Sequence, residues 1–135
     1  AAGDSEKDEE HMVLYRTKSS FIIMNKYPYN TGHVMVVPKD HQGELGGLEP
    51  DERLEILNLL AKSVEALKSS MQPHAFNLGA NMGEAAGAGV PGHFHFHVVP
   101  RWGGDSNFMP VLAEAKVLPE TLEKTFAKLR PYFAD

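Results

Sequence analysis

The sequence predicts an antiparallel α+β domain, and three observations predict it. Five short strand-like runs are rich in valine, isoleucine and phenylalanine. A long helical pattern separates the first three runs from the last two. A second helical pattern lies near the end of the chain. Clustered strands with helices inserted singly are the pattern of an α+β fold.

The elements follow in order. Residues 1–10, AAGDSEKDEE, are small and charged, and a flexible lead-in is expected there. Residues 11–135 then form one domain. "HMVLYRT" and "FIIMNKYP" are strand-like, with "KSS" as the turn of a hairpin, and Pro28 stops the second strand. Gly32 opens "GHVMVVPKDH", a valine-rich third strand ended by Pro38. "QGELGGLEP" is a loop. Pro50-Asp51-Glu52 starts the long helix: proline suits the first turn, and acidic residues there oppose the helix dipole. Ile56, Leu57, Leu60, Ala61, Val64, Leu67 and Met71 fall on one stripe at helical spacing, and Pro73 ends the helix. "AFNLGANM" is a fourth strand, "GEAAGAGVPG" a glycine-rich loop, and "GHFHFHVVPRW" the fifth strand. "GGDSNFMPVLAEAKV" is irregular. "PETLEKTFAKLRPYF" is the second helix, with Leu122, Phe126, Leu129 and Phe133 on one side.

Composition narrows the function. At 135 residues, 42% hydrophobic and 23% charged, the chain reads as one soluble domain of ordinary size. A formal charge of −5 supplies no general field for nucleic acid, although local donors can still hold a small anion. With no cysteine there is no disulfide, thiolate metal site or cysteine nucleophile. No apolar run reaches the roughly 20 residues of a membrane helix. A cytoplasmic setting is the default. The chain begins Ala1-Ala2, so a processed or shortened N-terminus is expected.

His93, His95 and His97 occupy alternate positions, which puts all three on one strand face, with Phe94, Phe96 and Val98 on the other. Three readings compete. A metal could be gripped by two of the histidines. His93 and His97, however, are about 13 Å apart at roughly 3.3 Å per residue, so one tetrahedral ion cannot collect all three. It would need an outside ligand such as His33, His41 or a carboxylate. Alternatively, the histidines satisfy one another and the backbone in a half-buried strand. The third reading is nucleophilic catalysis on phosphorus. An imidazole with a pKa near 6.5 offers a neutral nitrogen at pH 7, and a covalent intermediate splits one hard displacement into two easier ones. Gly83, Gly87, Gly89 and Gly92 would let backbone N–H groups close on phosphate oxygens just ahead of the histidines.

The motif H-F-H-F-H-V-V at 93–99 resembles the H-φ-H-φ-H-φ-φ signature of the histidine triad superfamily. Residues 21–41, "FIIMNKYPYNTGHVMVVPKDH", are similar to the family's F-x-x-x-N-x-x-P-x-x-x-G-H-x-x-x-x-P segment. The likeness covers roughly residues 11–133. "AGAGVPGHFHFHVVPRWGGDSNF" resembles the bacterial branch of diadenosine-polyphosphate hydrolases and phosphorylases more than the phosphoramidases. The resemblance implies a five-stranded antiparallel sheet with one long helix and a C-terminal helix, doubled in a homodimer. It implies cleavage of dinucleoside polyphosphates, such as diadenosine tetraphosphate, at the α-phosphate through a nucleotidyl-histidine. His95 would be the nucleophile, its second ring nitrogen held by a backbone carbonyl. His97 would bind α-phosphate oxygens. His93, supported by His33, would orient the site and assist the leaving group. Asn25 would bond the ribose, and Ile23 and Met35 would line the base pocket. Asn81, Gly87 and Gly89 would meet phosphates. No metal held by the protein is required, and Mg²⁺ is admitted only as a companion of the polyphosphate. Nucleic acid and membrane are not expected partners.

The chain also departs from the family pattern. Where family hydrolases carry Gln and phosphoramidases Ser before the triad, this chain has Gly89, which offers only a backbone N–H. The second acceptor, water or inorganic phosphate, therefore stays open. Some phosphorylases replace the third histidine with glutamine, so His97 leans toward hydrolysis. Members of this branch often carry a further N-terminal segment with cysteines. The rival class is a nucleotide-binding module that has lost turnover. Among other residues, Arg101 reads as a surface charge sooner than a distal-phosphate ligand. Trp102 and Phe108 could stack on a second base, cover a dimer seam or simply pack. Asn77 and Asn81 flank the glycine loop. Lys39 and His41 could reach a distal phosphate. Glu84 reads as a solvated charge, and His11 and His74 as incidental surface residues.

Overall fold

Alternation of buried and outward residues builds a five-stranded sheet in the computed structural model, which describes residues 8–26, 30–40, 43–86, 93–104 and 120–134. The strands are β1 (Val13–Arg16), β2 (Ser20–Met24), β3 (Val34–Pro38), β4 (Ala75–Ala80) and β5 (Phe96–Arg101). Their order is β1-β2-β3-β5-β4, and every neighbouring pair is antiparallel. The connection from β3 to β4 contains the long helix α1 (Pro50–Met71); α2 (Leu122–Leu129) runs into a 3₁₀ turn, Arg130–Phe133.

The core lies between one sheet face and the helices. Ile22, Met24, Val34, Val36 and Val98 point into it from alternate strand positions, and Ile56, Leu59, Ala66 and Leu67 meet them from α1. Phe126, Leu129 and Phe133 close it from the C-terminal end, as the helical spacing of that segment predicts. Each such side chain contributes about 1.5–3 kcal/mol by leaving water. The α1 stripe differs from the sequence reading. Leu57 is 63% exposed, and the buried line runs through Leu59 and Ser63 instead. Ser63 can take that place because its hydroxyl bonds back to the Leu59 carbonyl at 2.8 Å.

Local chemistry fixes the ends. α1 starts with a capping box between Glu49 and Glu52 and with Pro50 in its first turn. It stops where Gln72 turns left-handed, at φ 50°. Thr121 caps α2 by accepting from the Lys124 N–H. Glu55 of α1 reaches the β1–β2 turn, accepting from Ser19 N–H at 3.0 Å and from the Thr17 hydroxyl. Within the expected lead-in, residues 8–10 are helical. Asp8 is buried because Arg16 of β1 pairs with its carboxylate at 2.5 Å.

Candidate active site

The face away from the helices carries the site. The antiparallel register aligns Ile23 of β2, Met35 of β3, His97 of β5 and Gly79 of β4 in one row across four strands. Val34, Val36 and Val98, the alternate positions, lie in the core. Period two therefore delivers Met35 and His97 to the opposite face. Ile23 and Met35, which the resemblance sets in the base pocket, are register partners on this face.

A tight loop delivers His33. Gly32 has φ +91°, and a Cβ there would lie 2.8 Å from Met71 Sδ and 3.2 Å from Pro100 Cγ. Only glycine fits both the conformation and the space. Asn30 donates from its buried amide to the Pro100 carbonyl at 2.8 Å, and His33 N–H donates to Asn30 O. The loop is thereby pinned to the end of the histidine strand. Sequence reasoning missed Asn30; its only signal was an asparagine two residues before the Gly-His pair.

The histidine motif straddles the strand entrance. The sequence reading places all three histidines in the strand, but β5 begins only at Phe96, so His93 and His95 precede it. The last register pair with β3 is Val36–Phe96. Beyond it, His93 Nε2–H donates to the Pro38 carbonyl at 2.6 Å, so a side chain takes an acceptor that a backbone ladder would otherwise use. That bond leaves the lone pair of a neutral His93 on Nδ1. The supporting role expected of His33 also differs from the sequence reading. His33 Nε2 lies 2.8 Å from His97 Nδ1, so the support reaches the third histidine. The His95 ring stands 5.1 Å from His97 between centroids and makes no hydrogen bond among the described residues.

Burial sets the protonation of the pair. His33 is fully buried, and its pKa falls from 6.5 to about 4, first through desolvation and then through the neighbouring His97 and His95. His97 is lowered by burial and then by His95. Both rings are therefore neutral at pH 7, each with one N–H. The Asn25 amide nitrogen lies 3.3 Å from His33 Nδ1 and 3.4 Å from Nε2. An amide N–H can only donate, and this one stands almost equally far from both ring nitrogens, so one of them accepts from Asn25. With one N–H on each ring, the 2.8 Å contact carries a single proton; where His33 Nε2 donates it, His97 Nδ1 accepts and His97 keeps its own proton on Nε2. A neutral imidazole with Nε2–H outward is a donor for a phosphate oxygen.

Other candidates separate from this cluster. Asn81 follows β4 and is exposed; Gly87, Gly89, His41 and Phe108 lie outside the described residues. Lys39 is engaged elsewhere, with its ammonium on the Thr17 carbonyl at 2.5 Å. Arg101, read from sequence as a surface charge, donates to Asn77 Oδ1 at 2.5 Å on the site face. His74 is not incidental: its Nδ1 accepts the Gly103 N–H at 2.8 Å, closing the turn after β5. A cavity of about 590 Å³ lies away from the histidines, between β1 and the C-terminal helix, lined by Leu14, Tyr15, Arg16, Phe126 and Arg130 among others. It contains no residue of the predicted site.

A family model for the HIT domain matches residues 6–104, the span that holds both histidine segments and the sheet. The chain belongs to the HIT domain family. A relative from Mycobacterium tuberculosis, named AP-4-A phosphorylase, is 43% identical over 118 residues, covering 87% of this chain and 60% of that protein. A Schizosaccharomyces pombe protein named bis(5'-nucleosyl)-tetraphosphatase (asymmetrical) is 35% identical over 89 residues, covering 66% of this chain and 48% of its own. The chain thus spans between about half and three-fifths of these two relatives. A solved Zn-bound histidine triad protein from Mycobacterium smegmatis shares the fold at a TM-score of 0.75 and 24% identity, over 97% of this chain and 89% of its own. This HIT domain therefore shares that fold, with His97 on the sheet face away from the helices.

Proposed function

We propose that this HIT domain cleaves dinucleoside polyphosphates at the α-phosphate through a nucleotidyl-His95 intermediate. The observation that carries the reading is the neutral His33–His97 pair beside the His95 ring. A His95 ring-nitrogen lone pair forms a bond to the α-phosphorus. The bond from phosphorus to the bridging oxygen breaks, and the other nucleotide leaves with that oxygen. Water or inorganic phosphate then attacks phosphorus, and the N–P bond breaks. His97 Nε2–H donates to a non-bridging oxygen throughout, and such fixed donors supply much of the acceleration. Asn25 presents its amide oxygen to the ribose while its N–H₂ faces His33. Ile23 and Met35 form an apolar floor for the base.

Both acceptors occur among the relatives' names, and the 43% identity to an AP-4-A phosphorylase favours phosphate as a second reading beside hydrolysis. Turnover of diadenosine tetraphosphate with and without inorganic phosphate tests both. Water gives AMP and ATP; phosphate gives ADP and ATP. No turnover under either condition leaves the binding-module reading.

The assembly we propose is a homodimer. Leu54 and Leu57 of α1 and Leu78 of β4 are each more than half exposed, and β4 is an edge strand. A second copy would cover the leucines and the edge with the same patch. Catalysis is proposed to need no metal held by the protein, Mg²⁺ serving only to accompany the polyphosphate. No helix among the described residues is long and apolar enough to cross a membrane, and the setting we assign is the cytoplasm.

A further inference from the structure

Strand β4 repeats, in polar form, the alternation of the histidine motif. Asn77 pairs with Val99 and Gly79 with His97, so both face the site, and Asn81 follows at the next alternate position. Phe76 and Leu78 pair with Pro100 and Val98 on the helix side. Gly79 is exposed, and among the described residues no atom lies within 4 Å of the place its Cβ would occupy. Its φ is not positive either. Neither crowding by a described residue nor conformation asks for glycine there, and glycine inside a strand costs about 0.5–1 kcal/mol against alanine. In a strand whose register is regular, such a glycine is the kind of position where a ligand or another backbone comes close.

The row across the sheet says what approaches. Ile23, Met35, His97 and Gly79 follow one another on adjacent strands about 4.8 Å apart. With the nucleoside over Ile23 and Met35 and the α-phosphate at His97, the next position is the bare floor at Gly79. Beside that floor Asn77 Oδ1 holds the Arg101 guanidinium at 2.5 Å. A guanidinium has five N–H donors, so it can keep Asn77 and take phosphate oxygens as well.

We infer that Gly79 is the floor of a leaving-group channel and that Arg101, positioned by Asn77, binds the polyphosphate leaving through it. β4 thereby sets the preference for long polyphosphate leaving groups over small ones. The inference rests on the nucleotidyl-transfer reading above. Its test compares kcat/KM for diadenosine tetraphosphate, which must pass its leaving nucleotide over β4, with that for adenosine 5'-phosphoramidate, which loses only ammonia. Gly79→Val places a β-branched residue that a strand accepts. It should lower the dinucleotide-to-phosphoramidate ratio by about tenfold or more, and Gly79→Ala by less. Arg101→Gln should lower the same ratio mainly by raising KM for the dinucleotide, which keeps the test open if a residue-79 variant folds poorly. Equal changes on both substrates, or none, in the Gly79→Val and Arg101→Gln proteins would overturn the channel and leave nucleotidyl transfer standing. An unaltered protein idle on both substrates would sink both.

Discussion

His33 Nε2 and His97 Nδ1 meet at 2.8 Å across 64 residues of chain. One ring comes from the loop before β3 and the other from β5, and the contact exists only because those strands are neighbours. The consequence is a hydrogen-bonded pair that burial keeps neutral at pH 7.

That burial makes stability depend on pH. Unfolded His33 takes up a proton near 6.5, while the folded ring resists until about 4. Between those values the unfolded chain binds more protons, so stability falls as pH falls. The contribution is complete above pH 6.5, and on the order of 3 kcal/mol is lost by about pH 4. His97, lowered in the same direction, adds to the loss. Denaturant unfolding across this window should show the decline, and His33→Gln should flatten it. An unchanged slope in His33→Gln would show that another group titrates.

Gly32→Ala tests the loop that carries His33. The new methyl would have to displace Met71 Sδ, Pro100 or Leu67, at a φ that alanine rarely adopts. The expected cost is about 2 kcal/mol, with a matching drop in Tm and a larger loss of turnover as His33 shifts. A variant with unchanged Tm and unchanged kcat would mean the loop tolerates the displacement.

Leu57→Glu combined with Leu78→Glu tests the assembly. Both leucines are exposed in the single chain, so the substitutions should leave the fold's Tm within a few degrees. Sedimentation at micromolar concentration should show twice the chain mass for the unaltered protein and a single chain for the variant. A monomer fully active on a dinucleotide without any substitution would remove the need for the dimer.

Much of this was legible in the amino-acid sequence, for physical reasons. Period-two patterning set His97 and Val98 on opposite faces of the fifth strand, because alternation survives whatever the strand packs against. Helical spacing gave Phe126, Leu129 and Phe133 correctly for the same reason. Leu57 misled because hydrophobicity alone does not say which side of a helix meets the sheet, and Ser63 is buried despite its hydroxyl. The partner of His33 was not legible either. Which of three alternating histidines it touches depends on the β3–β5 register, and register is a property of two strands. Pro38 as the end of the third strand was legible, but the seat of His93 on its carbonyl needs the neighbouring segment as well.

The covalent role of His95 is the central claim, and rapid quenching with diadenosine tetraphosphate tests it most directly. Peptide mapping of the quenched protein should find an acid-labile nucleotidyl group on His95. His95→Ala should show no adduct and turnover reduced by at least about a thousandfold, while still binding nucleotide. An adduct on another residue, or a His95→Ala protein whose turnover stays within about tenfold of the unaltered one, would contradict the account.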